Sequence, residues 1–334
     1  MELVSRPHVD NFIAWAAERP EVLVVTADLT NSCEVGRWRD TYPDRYVTAG
    51  MAEQNMLGVA AGLAREGLRP FVHTFAVFLY RRPYDQLAMS IAYPNLPVRL
   101  VGFLPGISTP GGVTHQAIED LAIMRATPNM TVLTTADATE VESVLDVTEQ
   151  VDGPVYIRML RGQVPRLFPV EEPMQLGRTR HLAIGSHATV VTTGITTQLA
   201  LPAVDVLRRR DITVDHLHVS TLKPFGDEVL REAFQRASGP VITMENHVVT
   251  GGLGSAVAEY MAERAIGRRL IRLGLKDTYA HGANQAHLAR EYGLDGRALV
   301  GAVEDALGLS LDIDDAELDL MRQPGAANVN AEQL

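Results

Sequence analysis

The sequence predicts an α/β protein of two doubly wound domains, and three observations carry that prediction. Short β-rich runs alternate with segments of helical spacing, which implies parallel strands covered by helices on both faces. The alternation occurs twice, on either side of a proline- and charge-marked stretch, Pro165-Arg166-Leu167-Phe168-Pro169-Val170-Glu171-Glu172-Pro173, whose composition suits a linker. At 334 residues the chain is also longer than one core ordinarily supports.

The first series places strands at 21–28, 69–75, 97–104, 130–135 and 154–158, with helices near 8–19, 52–66, 82–93, 116–126 and 137–149. A first domain is therefore expected over 1–165 and a linker over 166–185. The pattern restarts with a strand at 188–194, a helix near 196–210, a strand at 213–219 and a helix near 226–236. A strand at 240–245, a helix near 252–264, a strand at 270–274 and two short helices between 283 and 307 complete a smaller domain over 186–310. The acidic tail, 311–334, carries Asp312, Asp314, Asp315, Glu317 and Asp319 and then Gly325-Ala326-Ala327-Asn328. Beyond one short amphipathic turn it has no core-forming pattern and is expected to be partly disordered.

Composition narrows the function. A formal charge of −11 argues against a general nucleic-acid-binding surface. Charged residues or prolines interrupt every apolar run well before the roughly 20 residues a membrane helix needs. The start, Met1-Glu2-Leu3-Val4-Ser5-Arg6, lacks a basic-then-apolar secretory pattern, so a cytoplasmic enzyme is expected. The single cysteine, Cys33, excludes an internal disulfide or a cysteine metal cluster within the chain. A structural, partly buried thiol is the expectation there, with a bystander near a ligand as the alternative.

The most informative stretch is Gly50-Met51-Ala52-Glu53-Gln54-Asn55-Met56-Leu57-Gly58-Val59-Ala60-Ala61-Gly62, one acid opening a small, apolar helical run. An ionisable group entering a packed layer must be paired, neutralised or functional, which makes Glu53 the first catalytic candidate. On this segment alone a helix N-terminal glutamate favoured by the dipole is an equal reading. The following residues separate the two. Glu53, Gly58 and Gly62, then Thr74-Phe75-Ala76-Val77-Phe78 and Thr114-His115-Gln116, resemble the pyrimidine-binding half of thiamine-diphosphate enzymes of the transketolase type. The resemblance continues through 119–130, Met244-Glu245-Asn246-His247 and Gly251-Gly252-Leu253-Gly254-Ser255-Ala256, up to about residue 308. It implies a thiamine pyrimidine-binding domain followed by a transketolase C-terminal domain.

The resemblance assigns roles. Glu53 matches the carboxyl group that exchanges a proton with the aminopyrimidine ring of thiamine diphosphate, and Met56 and Leu57 suit a low-dielectric surround. Phe78 matches the stacking aromatic, with Phe75 as a second wall. Asp28, at the end of the first strand, is implied near the cofactor. Ser32 matches a substrate-phosphate contact, as does Arg161, whose guanidinium fork suits an oxyanion. Arg81 is a second phosphate candidate, by likeness to deoxyxylulose-phosphate synthases. His115 matches a histidine that touches substrate oxygens and assists proton movement.

Two departures accompany the match. In the loop 102–112, places that in transketolases hold a phosphate-binding histidine and a hydroxyl-reading aspartate carry Leu104 and Gly111, which points to an unusual or less hydroxylated substrate. No Gly-Asp-Gly segment occurs, so Mg²⁺ ligands are not expected in this chain. The resemblance therefore implies a split enzyme. This chain would be the pyrimidine-binding subunit, partnered by an N-terminal, diphosphate- and Mg²⁺-binding subunit in an α2β2 heterotetramer. It would transfer a two-carbon ketol unit from a ketose to an aldose or aldehyde. The alternatives are the β subunit of a 2-oxo-acid dehydrogenase, a deoxyxylulose-phosphate-synthase-like carboligase, or a noncatalytic scaffold subunit.

Overall fold

Residues 2–320 are described by a computed structural model. In chain order the strands are β1 (Leu3–Ser5), β2 (Val22–Thr26), β3 (Tyr46–Thr48), β4 (Arg69–Phe75), β5 (Arg99–Phe103), β6 (Thr131–Thr134) and β7 (Val155–Met159). They continue with β8 (Gln163–Pro165), β9 (Thr179–Ala183), β10 (Ala188–Thr192), β11 (Val214–Val219), β12 (Thr221–Lys223), β13 (Val241–Val248) and β14 (Leu270–Leu275). A seven-stranded sheet runs β12-β6-β7-β5-β4-β2-β3, and a five-stranded sheet runs β14-β13-β10-β11-β9. Apart from β12 and β9, which are antiparallel edges, both sheets are parallel.

The central strands are β-branched and aromatic, and β2, β5 and β7 are buried along their whole length. That is the signature of parallel strands covered on both faces by helices. From β2 the chain moves outward to β3 and then crosses back to β4 on the other side. The reversal opens a crevice at the carboxyl ends of β2 and β4, where open α/β sheets place ligands.

The expected linker contains an ordered strand, since β9 closes the edge of the second sheet by pairing with β11. Strand β12, from the second half of the chain, joins the first sheet through β6. Each is a short edge strand paired on one side, so its sequence needs little apolar periodicity and gives little signal. The helix expected near 82–93 is also different. A short helix, Ala76–Tyr80, precedes Pro83, and Gln86–Ala92 follows as a π-helix with Tyr93 N–H bonded to Ala88 O at 2.8 Å. The bend between them presents Arg81 and Arg82. The helix expected from 116 begins at Asp120, because 116–119 form part of the loop. In the tail 311–314 is ordered coil with Ile313 buried and Asp315–Leu320 is helical, while 321–334 of the expected disordered segment lies outside the described residues.

Candidate active site

Glu53 opens the helix Glu53–Arg65 and is only 5% exposed, with Met56 and Leu57 fully buried beside it. Its position favours a negative charge, because the helix's first N–H groups point toward it. Arg82 compensates that charge directly, Nη1 donating to Glu53 Oε1 at 2.5 Å. The same guanidinium lies 4.2 Å from the centroid of the Phe78 ring. A flat cation is thus held between a buried carboxylate and an aromatic face.

Phe75 ends β4 and Phe78 sits one helical turn on, so both rings point into the crevice, 6.0 Å apart and nearly parallel. His115 meets them edge-on, at 5.6 Å from Phe78 and 6.3 Å from Phe75. Its Nδ1 lies 2.8 Å from the Thr114 hydroxyl. Arg161, two residues past β7, reaches the same group, its guanidinium 5.8 Å from the Phe75 ring. The structure therefore gathers Glu53, Phe75, Phe78, His115 and Arg161 around one crevice.

Arg161 also donates to Ser32 O at 2.6 Å and lines, with Ser32, a polar cavity of about 480 Å³. Arg6, Asn31 and Glu34 line it too. Burial pulls the Arg161 guanidinium below its ordinary pKa, against the attraction of Glu34. Burial likewise pushes Glu34 up, although the Gly162 N–H bonded to its Oε1 at 2.8 Å opposes the shift. Cys33 is fully buried rather than partly, and burial raises its thiol far above its ordinary value, so it is an inert core group.

Two expected residues stand elsewhere. Arg81 is bidentate with Glu119, at 2.6 and 2.8 Å, and donates to Val113 O at 2.9 Å. Its donors are engaged in holding the His115 loop, and it does not line the cavity of Arg161 and Ser32; the structure does not bring it to a shared phosphate site. Asp28 follows β2 with φ +60° and is exposed, making no hydrogen bond or ion pair among the described residues.

The loop 103–112 is held from the second sheet. Asn246 accepts from Ile107 N–H at 2.9 Å and donates to Pro105 O at 3.0 Å, filling the space a side chain at Gly106 would need. A Cβ at Gly111 would come within 3.0 Å of the His115 side chain, so the missing side chain there lets His115 approach. Beneath the loop Arg158 pairs with Asp120 at 2.7 Å and donates to Asn246 O at 2.9 Å. Burial opposes ionisation of Asp120, but Arg158 outweighs it and holds the carboxyl below its usual range. Glu245 caps the helix Leu253–Glu263 by accepting from Leu253 and Gly254 N–H. Burial nevertheless lifts it to about 7.

Sequence reasoning missed Arg82, Arg6, Glu34 and the Asp120–Arg158–Asn246 network. Arg82 leaves no signal, because its role depends on the bend at Pro83. The network had one, the stretch Met244–His247, which was legible as part of a pattern without a role.

Residues 9–166 match the family described as "Transketolase, pyrimidine binding domain", and residues 177–299 match "Transketolase, C-terminal domain". The chain is 38% identical, over 89% of its length and 92% of the relative's, to a 6-deoxy-6-sulfo-D-fructose transketolase subunit of Clostridium sp.. It is 32% identical to the 1-deoxy-D-xylulose-5-phosphate synthase of Syntrophotalea carbinolica, over 87% of this chain and 46% of that protein. A solved structure titled "Split gene transketolase, inactive beta4 tetramer" superposes with a TM-score of 0.83 at 38% identity, covering 91% of this chain and 97% of that one.

Proposed function

The chain belongs to the transketolase family, and on that premise we propose that it is the pyrimidine-binding subunit of a split, thiamine-diphosphate-dependent transketolase. The observation that carries this reading is the placement of the Arg82 guanidinium between Glu53 and Phe78. A planar cationic group already uses the carboxylate and the aromatic face that a protonatable aminopyrimidine requires, so the residues present fit the cofactor.

When bound, thiamine diphosphate supplies a carbanion that accepts and releases the two-carbon unit. Glu53 would hold the proton exchanged at the pyrimidine N1′ atom, and Phe78 would fix the ring's orientation by stacking. Phe75 backs that pocket, with the Arg161 guanidinium 5.8 Å from its ring; Asp28, which the resemblance implies near the cofactor, remains a proposed contact. His115, edge-on to both rings, is placed to hold or move a proton at a substrate oxygen. Arg161, with Ser32 beside it, would bind an oxyanion at the far end of the sugar. The relative named for 6-deoxy-6-sulfo-D-fructose supports a donor whose terminal group need not be phosphate. The apolar loop around Leu104 and Gly111 supports one with fewer hydroxyls.

The proposal includes an obligatory partner. Met51, Tyr84 and Val113 are exposed apolar residues, each two positions from Glu53, Arg82 or His115, and Met89 on the helix after Arg82 is exposed too, a pattern suited to burial against a second chain. That chain would bring the diphosphate contacts and Mg²⁺, in an α2β2 assembly. A cytoplasmic location, in keeping with one unoxidised buried cysteine, belongs to the same reading. Among the described residues no helix is long and apolar enough to cross a membrane.

The test is reconstitution with the proposed N-terminal, diphosphate-binding subunit. Ketol transfer from hydroxypyruvate to an aldose should need both chains, thiamine diphosphate and Mg²⁺, and should be lost in Glu53→Gln. Full turnover by this chain alone would refute the split reading. The synthase relative supports a second reading, which the same assay separates by offering pyruvate: condensation of pyruvate with an aldehyde, without ketol transfer, would favour the carboligase.

A further inference from the structure

Outside the cofactor crevice, the loop before the helix Gln285–Glu291 meets that helix in a group of two imidazoles and a carboxylate. We propose that His281, His287 and Glu291 bind a divalent ion of the Zn²⁺ class, and that the bound ion clamps the loop carrying His115.

The geometry is that of a site needing little rearrangement. His281 Nε2 lies 2.7 Å and His287 Nε2 3.2 Å from the same oxygen, Glu291 Oε2. All three ligand atoms are within 4.8 Å of one another. Tetrahedral zinc with bonds of 2.0–2.1 Å separates its ligand atoms by about 3.3 Å, so small side-chain rotations would admit the ion. Two nitrogens and one carboxylate oxygen, with open positions left for water, form a donor set zinc takes readily. The helix supplies His287 and Glu291 four residues apart on one face, and Asn284 fixes its start by accepting from His287 N–H at 2.9 Å. His281 Nδ1 lies 3.3 Å from Gly282 O, a partner that leaves Nε2 as the ligand atom. All three side chains are exposed, so the ion can arrive from solvent.

The consequence for the crevice follows from backbone contacts. His281 O accepts from Gln116 Nε2 at 3.2 Å, and Gln116 adjoins His115. Gly282 is pressed against the same loop, since a Cβ on it would stand 2.9 Å from Pro110 O, and one on Gly112 would stand 3.3 Å from Gly282 N. An ion that immobilises His281 therefore immobilises the strap on which 110–116 rests.

The ion site can be tested without any transketolase activity, so its failure is distinct from failure of the functional reading. The untagged full-length chain is titrated with ZnCl₂ by calorimetry, alongside His287→Ala, Glu291→Gln and the double variant. One Zn²⁺ per chain is expected, with affinity lowered about tenfold or more in each single variant through the loss of one of three ligands. No binding, or binding undiminished in the double variant, overturns the site. Amide exchange read by mass spectrometry should slow in 110–116 on adding Zn²⁺ to the wild type and remain unchanged in the double variant. Binding without that protection overturns the clamp.

Discussion

The carboxylate of Glu53 is buried while the Arg82 guanidinium that neutralises it is half exposed, 5% against 52%. Arg82 is therefore the removable partner. A pyrimidine ring that stacks on Phe78 and bonds Glu53 must displace it, at the cost of a part-exposed ion pair and a cation–π contact. Together these are worth about 1 kcal/mol after allowance for solvent screening. Arg82→Ala is accordingly expected to tighten thiamine diphosphate binding by the assembled enzyme roughly fivefold. Calorimetric titration checks this; weaker binding would mean that Arg82 itself grips the cofactor. Glu53→Gln keeps the shape of the side chain but not its proton chemistry. It should slow deuterium exchange at the thiazolium C2 strongly without lowering the melting temperature, measured by NMR and calorimetry.

At the scale of elements, the second sheet positions the loop of the first. The helix Leu253–Glu263 can start where it does because Gly252 leaves room for the Glu245 carboxylate beneath it. A Cβ there would lie 1.9 Å from Glu245 Oε2 and 2.7 Å from His247 Nδ1, both in fully buried side chains. Gly252→Ala should destabilise the fold by at least about 2 kcal/mol, read as a lowered denaturation midpoint. Asn246→Ala removes both bonds that hold the loop at Pro105 and Ile107. The buried Ile107 N–H left behind costs on the order of 1–3 kcal/mol. Because the loop leads to His115, KM for the ketose donor should rise more than kcat falls; unchanged kinetics would show that the loop is held by other contacts.

For the whole molecule, pH acts through buried histidines. Burial holds His73 and His247 at about 4 and His216 at about 3, and His8, beside His73, is also held well below its ordinary value. The facing Nε2 atoms of His8 and His73, 3.0 Å apart, can share one proton but not carry two. Below pH 6.5 the unfolded chain protonates these four groups while the native one does not, so stability falls as pH falls and the loss levels off below the folded values. Glu245, raised to about 7, works in the opposite direction in the same window, as does the exposed His281. Buried Glu34 and Asp137 are raised as well and oppose the histidines in part; a net fall in stability is expected between pH 6.5 and 5.5. Urea denaturation at the two pH values measures it, and equal midpoints would contradict it.

Local periodicity alone determined the two α/β series, because a buried parallel strand such as β2 or β5 must be apolar throughout and its covering helix must carry an apolar stripe. Glu53 stood out as one acid opening an apolar helix, and Phe75, Phe78, His115 and Arg161 were singled out by the resemblance to transketolases; that these residues surround one crevice is a property of the assembled sheet. Tertiary structure decided what depends on distant segments meeting. The edge strands β9 and β12 take their places from backbone pairing that few side chains encode. Arg81 turns to Glu119, thirty-eight residues on, in place of the cavity. Arg82 reaches Glu53 only because Pro83 bends the chain there, and Asn246 holds a loop from the other sheet, 139 residues away. Such contacts have no period, and their free energy comes from satisfying buried charges and N–H groups that only the assembled fold brings within reach.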